Sequence, residues 1–300
     1  MREVKFKKGN QKLHSVSLKE FAEVTKEQYP YSRINDGHKV AYAICPLCEN
    51  PVRLLGIYGV LKKQRPHARH CKYNVKDIAE FEFEKYINCP HHMKNANYVT
   101  DTVSPREIQP INMEILELAR KYFDKCIYIL QRTMGLKISE ALAIQIARDY
   151  MAHPGYMVRG ANRENVPYIM GRCMRGVGVV KRIIIEDGPL FEMLKDKKEI
   201  TLVKLPSNAN ETVYRVESNV GYLDLSLNIS QYRFVSDPTD GLQEYIKIHI
   251  GIGDGNGTYK TYAEKEMKID PFIFNKLINR RNNFNPRAQL QKIAEEILVI

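Results

Sequence analysis

Cysteine and histidine residues crowd into one stretch of the chain, between residues 45 and 92. The motif Cys45-Pro-Leu-Cys48 is followed by a second group, which contains His67, His70 and Cys71. A CxxC pair in a tight turn brings two thiolates to one centre, and a returning strand can supply the other two ligands of a tetrahedral zinc site. We predict a Zn²⁺ ion held by Cys45, Cys48, His67 and Cys71, with His70 as the alternative fourth ligand. Four protein ligands leave no position for a catalytic water, so the predicted role of the zinc is structural.

A third group, Cys89-Pro-His91-His92, has no matching pair after it in the chain. These residues can replace one ligand of the first site or begin a second site. The simplest interpretation is a helix end at Cys-Pro with solvent-facing histidines. The remaining cysteines, Cys126 and Cys173, stand apart and are predicted to be buried, unreactive thiols.

A run of basic residues surrounds the predicted zinc site. Between Glu49 and Asp77 the chain has seven basic residues and no acidic one. Cationic side chains on a hairpin can contact phosphates with a salt-dependent affinity, and Tyr58 and Tyr73 can stack on bases. A solvated basic face is the alternative interpretation. The predicted nucleic-acid-binding residues are Arg53, Lys62, Lys63, Arg65, Arg69 and Lys72.

The whole chain is basic and has an ordinary apolar content. Of its 300 residues 44% are hydrophobic, and 46 Lys and Arg against 35 Asp and Glu leave a net charge of +11. This charge favours an acidic partner such as DNA or RNA, between which the sequence does not choose. No apolar run is long enough to span a bilayer, and the first residues lack the apolar segment of a signal peptide. We therefore expect a cytoplasmic protein without a membrane partner.

Apolar spacing and turn residues predict an α+β protein with two domains. The first, residues 1–105, is a zinc-ribbon module with a short helix capped by Ser17 and stopped by Pro30, a strand over 38–44, the CxxC knuckle and a hairpin. The second, residues 106–300, has a helical hairpin, an antiparallel meander of five or six strands and carboxy-terminal helices. The helices of the hairpin are predicted over 112–134 and 138–151, and Ser139 is the predicted cap of the second helix.

The string ICPLCENPVRLLG, followed by RPHARH, resembles the amino-terminal zinc-ribbon region of the competence protein CoiA-like family. Cys45, Cys48, His67 and His70 occupy the CxxC and HxxH positions of that region, and the similarity covers about thirty residues. In that family the ribbon precedes a nuclease domain of the PD-(D/E)xK type. The resemblance therefore implies a metal-dependent nuclease as one possible activity of this chain.

A nuclease of that type needs an acid on one strand and a Glu-x-Lys pair on the next. The candidates in this chain are Asp224, Glu244 and Lys247. Glu244 and Lys247 are three residues apart, so in a regular strand they face opposite sides. A β-bulge between them would be required to direct both side chains to one metal ion.

Three functions compete at this point. The leading hypothesis is a zinc-containing nucleic-acid-binding protein in which zinc has a structural role. The alternative is the metal-dependent nuclease, and the third is a protein-interaction module that does not bind nucleic acid. Salt-dependent binding of nucleic acid distinguishes the first from the third.

Overall fold

In the computed structural model the chain divides into two compact units, residues 1–97 with 234–243, and residues 98–233 with 244–300. The structure describes all residues except 10–11, 36, 60–65, 88, 90, 93–109, 159, 207–210, 238–240, 256, 271 and 280–286. The predicted domain boundary near residue 105 lies outside the described residues and stays a prediction.

The first unit is built around a four-stranded antiparallel sheet with the strand order β3-β4-β5-β6. Ser17 caps the first helix as predicted, because its side chain accepts a hydrogen bond from the Glu20 amide at 3.2 Å. The helix ends earlier than predicted, at Thr25, where Lys26 adopts a left-handed conformation. The elements of this unit are β1 Glu3–Val4, β2 His14–Ser15, α1 Leu18–Thr25, β3 Ser32–Asn35, β4 His38–Ile44, β5 Pro51–Leu55, β6 His67–His70 and α2 Phe83–Ile87.

The second unit begins with helices that pack around apolar side chains. The predicted helix over 112–134 is divided at Tyr122 into two helices, and the next helix is capped by Ser139 as predicted. The helices that precede the strands, including one 3₁₀ turn, are α3 Pro110–Lys121, α4 Phe123–Met134, α5 Glu140–Ala152, the 3₁₀ turn Gly155–Met157 and α6 Val166–Cys173.

The strands of the second unit form two sheets, whereas the sequence predicted a single meander. One sheet has the order β8-β10-β9 and the other the order β13-β12-β11-β7. Helix α7, Pro189–Leu194, connects β8 and β9, which belong to the same three-stranded sheet. The remaining elements are β7 Val177–Gly178, β8 Ile183–Ile185, β9 Ile200–Leu205, β10 Val213–Ser218, β11 Leu225–Asp237, β12 Gly241–Gly253, β13 Tyr259–Ile269, α8 Ile273–Asn279 and α9 Ala288–Ile297.

The predicted α+β class is confirmed by these helices and antiparallel sheets. The zinc-ribbon arrangement is seen in part, as strand β4, the knuckle and strands β5 and β6. Among the described residues, no helix combines the length and apolar composition needed to cross a membrane.

A carboxyl group is buried in the sheet of the second unit. Glu244 is 2% exposed and begins the buried face of β12, which continues with Ile246, Ile248 and Ile250. The Tyr232 hydroxyl donates a hydrogen bond to Glu244 Oε2. Burial raises the pKa of Glu244 to about 7, despite this hydrogen bond.

We expect Glu244 to make the protein less stable as the pH rises. The folded pKa of about 7 exceeds the ordinary 4.5, so between these values the folded chain holds a proton that the unfolded chain has released. The free energy of unfolding should therefore fall by about 3 kcal/mol across that window and then level off. Glu244→Gln should remove this loss, as measured by urea unfolding at about pH 5 and about pH 8.

The control is Glu264→Gln, since Glu264 is half-exposed on β13 and pairs with Lys247. The control variant should keep the pH dependence of the natural protein. Equal pH dependence in the Glu244→Gln variant and the natural protein would contradict a buried, protonated Glu244.

Candidate metal centre

The CxxC motif forms the tight connection between β4 and β5. The Glu49 amide donates to the Cys45 carbonyl at 3.0 Å, and the Cys45 amide donates to the Asn50 carbonyl at 2.9 Å. Glu49 has a positive φ of 55°, which reverses the chain. The two cysteine side chains are both buried. This turn, residues 45–50, is called the knuckle below.

The register of the sheet determines which residue of β6 reaches the knuckle. Ala43, Val52 and His70 are paired across β4, β5 and β6, so their side chains share one face, and Cys45 continues that face beyond β4. Because side chains alternate along a strand, His67 and Cys71 point to the opposite face. His70 is therefore the β6 side chain that can join Cys45 and Cys48.

The fourth member of the cluster comes from the chain after α2. Cys89 is 1% exposed, and its Sγ lies 3.7 Å from Cys45 Sγ. The ligand atoms of Cys45, Cys48, His70 and Cys89 all lie within 4.8 Å of one another, and this group could hold a metal ion. We call it the Cys₃His cluster.

Asn50 joins the knuckle to the segment that carries Cys89. Its side-chain amide donates to the Glu82 carbonyl at 3.1 Å and accepts from the Glu82 amide at 2.6 Å. The same amide nitrogen lies 3.4 Å from Cys48 Sγ. Asn50 is 1% exposed, so these bonds form away from water and fix the start of α2 against the knuckle.

The distances in the Cys₃His cluster fit a tetrahedral metal site. Metal–sulfur bonds of about 2.3 Å at tetrahedral angles place two sulfurs about 3.8 Å apart, and the Cys45–Cys89 separation is 3.7 Å. A thiolate and an imidazole nitrogen bound in the same way are about 3.6 Å apart, against 3.2 Å between Cys48 Sγ and His70 Nε2. These two separations are each within a few tenths of an ångström of the values for a tetrahedral ion.

Two thiols of the cluster have pKa values shifted in opposite directions. Burial opposes ionisation of Cys48, but hydrogen bonds with Cys45, Cys89 and Asn50 hold its pKa well below the ordinary value. Burial and the neighbouring Cys45 and Cys48 raise the pKa of Cys89 well above the ordinary value. A bound cation would favour deprotonation of the remaining thiols, because metal ligation requires thiolates.

The structure differs from the ligand set preferred from the sequence. Cys45 and Cys48 are in the cluster and so is the alternative ligand His70, whereas His67 and Cys71 are not. Cys71 packs with Val40, Tyr42 and Val75 in a hydrophobic cluster on the other face of the sheet. The physical reason is strand alternation, which separates Cys71 from His70 although they are adjacent.

Sequence reasoning undervalued Cys89 and missed Asn50. The sequence analysis interpreted Cys89 as part of a helix end with no role in the metal site. In the structure its side chain is buried in the cluster. Two signals were available in the sequence: the number of nearby cysteines, and an amide side chain at the last position of the knuckle. His91 and His92 lie outside the cluster and beside it.

A cavity of about 740 Å³ opens beside the cluster and is lined by residues on both sides of β6. Arg53, Arg69 and Lys72, which the sequence predicts to bind nucleic acid, all line it. Among the described residues, its lining includes no Asp or Glu. The other predicted residues, Lys62, Lys63 and Arg65, lie outside the described part of the chain. We call this space the basic cavity.

The three nuclease candidates do not converge. Asp224 lies beside Gly253 at one end of β12, and the nine-residue span to Glu244 corresponds to about 30 Å. Glu244 faces the buried side of β12, whereas the Lys247 ammonium lies 3.4 Å from Glu264 on the other side. The irregularity in β12 falls at Ile250 and Gly251, so it does not bring Glu244 and Lys247 to one face.

No family model, curated protein or solved structure matches this chain. The resemblance to the CoiA-like family stays a prediction. The function therefore has to be inferred from the site and its chemistry.

Variants of single ligands should distinguish the two sets. Cys89→Ser removes a thiolate from the cluster and should lose the bound metal, whereas Cys71→Ser, which replaces another buried thiol, should keep a full equivalent. His70→Gln and His67→Gln form a second matched pair with the same expectation. Metal content is measured by elemental analysis of the purified proteins. Loss of metal in the Cys71→Ser and His67→Gln variants, with retention in the other two, would restore the original ligand set.

Proposed function

We propose that this protein is a zinc-stabilised nucleic-acid-binding protein whose contact surface is the basic cavity. The observation that carries the proposal is a cavity lined by Arg53, Arg69 and Lys72 and walled on one side by a cluster residue, His70. A group of cationic side chains without acidic neighbours strongly attracts phosphate groups.

Arg53 and Arg69 are placed where their charges repel each other across two neighbouring strands. Arg53 and Arg69 lie directly opposite each other on β5 and β6, and both are exposed. Like charges directly opposite each other on neighbouring strands destabilise a sheet. Within the described part of the chain neither arginine has an ion-pair partner that would offset this repulsion. A bound phosphate would supply the missing negative charge.

Zinc is the metal that this donor set favours. Three thiolates and one imidazole are soft or borderline ligands, which exclude magnesium and calcium on chemical grounds. A complete set of four protein ligands is typical of structural zinc sites, whereas catalytic sites keep one position open. When bound, zinc would hold the knuckle, β6 and the chain after α2 together.

Tyr86 connects the cluster with the basic cavity. Its ring makes an edge contact with His70, with centroids 5.4 Å apart, and contacts His92 at 3.7 Å. The Lys72 ammonium lies 5.6 Å from the same ring centroid. The Tyr86 carbonyl also accepts a hydrogen bond from the Cys89 amide at 3.1 Å. Ordering of Cys89 and His70 by a metal therefore also orders one wall of the cavity.

Removal of the arginine charges should weaken nucleic-acid binding while it slightly stabilises the sheet. For Arg53→Gln with Arg69→Gln, two lost phosphate contacts should lower the affinity for a single strand roughly 20-fold at about 0.1 M salt. The plot of log affinity against log salt should become shallower by about 1.4. Fluorescence anisotropy with labelled DNA and RNA over a salt series measures both quantities.

The matched control is Lys260→Gln with Lys268→Gln, which removes the same charge from exposed positions on β13. The control should change affinity by much less than the arginine variant. Equal losses in both variants would mean that only the net charge matters, and the basic cavity would not be the contact surface. Absence of salt-dependent binding in the natural protein would favour the protein-interaction hypothesis.

Removal of zinc should also abolish binding. The purified protein should contain one equivalent of zinc by elemental analysis. A strong chelator should remove the zinc, and the cavity wall should then lose its order. Affinity for nucleic acid should then fall, and it should return when zinc is added back. Undiminished binding by the metal-free protein would contradict the connection through Tyr86.

A further inference from the structure

We infer that the basic cavity accepts an unpaired nucleotide, so that the protein selects single-stranded over double-stranded nucleic acid. This inference rests on the proposed function and goes beyond it, because phosphate contacts alone do not distinguish the two forms. It is carried by the position of Tyr73 at the cavity and by the size and place of the cavity itself.

Tyr73 is an exposed aromatic residue that lies beside the sheet. It lines the basic cavity, and 54% of its surface is exposed. Its hydroxyl group lies near Tyr42 and Cys71, both of which are buried in the sheet. The ring therefore adjoins the sheet and keeps an accessible surface, which is what a stacking platform for a base requires.

The other tyrosine of the basic run is arranged differently. Tyr58 makes a hydrogen bond of 3.1 Å with Ser32, packs edge-on against Phe21 and lies under the Lys39 ammonium. It is not part of the cavity lining. Its ring is thus engaged within the protein, whereas Tyr73 presents its ring at the cavity.

Stacking on Tyr73 requires a base whose face is free. In a duplex both faces of each internal base are covered by the neighbouring base pairs, so the ring can stack only on an unpaired or terminal base. The cavity volume of about 740 Å³ is in the range of small-ligand sites, which suits a nucleotide rather than a duplex. Arg53 and Arg69 on one side of β6 then lie where they can contact the phosphates of the same strand.

The test compares one strand with its own duplex. Labelled oligothymidylate, its duplex with oligoadenylate of the same length, and oligouridylate are titrated with the zinc-loaded full-length protein at one salt concentration. We expect tighter binding of the single strands. Tyr73→Leu should weaken single-strand binding roughly 5- to 150-fold, the range for loss of one stacked base, and should leave duplex binding nearly unchanged.

Two variants control for folding and for loss of any surface tyrosine. Tyr73→Phe keeps the ring and should retain single-strand preference, and Tyr222→Leu removes a tyrosine that is 87% exposed outside the cavity. Salt-dependent binding of strand and duplex with equal affinity, unaffected by Tyr73→Leu, would overturn the inference and leave the proposed function intact. Binding of neither form would overturn the proposed function itself.

Discussion

The alternation of side chains along β6 is the constraint on which the functional half of this protein depends. His70 points to the face of the knuckle, whereas Arg69 points to the face shared with Arg53. One short strand thus supplies a member of the Cys₃His cluster on one side and a cation on the other. A shift of one residue in register would exchange these roles and place an arginine charge in the buried cluster.

The Cys₃His cluster and the arginine pair have different consequences for the stability of the first sheet. The like charges of Arg53 and Arg69, directly opposite each other, destabilise the pairing of β5 and β6. A metal ion bound by the four cluster residues would stabilise the same sheet, because it would join the knuckle, β6 and the chain after α2. Asn50 contributes to the same end, because its two hydrogen bonds with Glu82 hold the segment before Cys89 against the knuckle before any metal binds.

Local sequence signals predicted the α+β class, the Ser17 and Ser139 caps and the CxxC knuckle, since each depends on a few neighbouring residues. The break at Tyr122 and the division of the strands into two sheets were not predictable, because tertiary packing decides them. The ligand set was partly predictable. His70 and Cys71 are adjacent in sequence, and only the pairing register with Val52 shows which of them faces the knuckle. Cys89 is brought in by a long-range contact through Asn50, which no spacing rule describes.

The Cys₃His cluster and the buried Glu244 have side-chain environments that differ from those of a hydrolytic metal site. The Cys₃His cluster can fill all four positions of a tetrahedral ion, which leaves none for an activated water. Glu244 has a pKa of about 7 and is hydrogen-bonded to Tyr232 in an apolar environment, so it is a poor ligand for a hard cation. Asp224 instead accepts a hydrogen bond from the Tyr259 hydroxyl at 2.8 Å, near the opposite end of β12. Because a two-carboxylate metal site requires both acids at one ion, the separation of Asp224 and Glu244 means that these two residues do not form such a site.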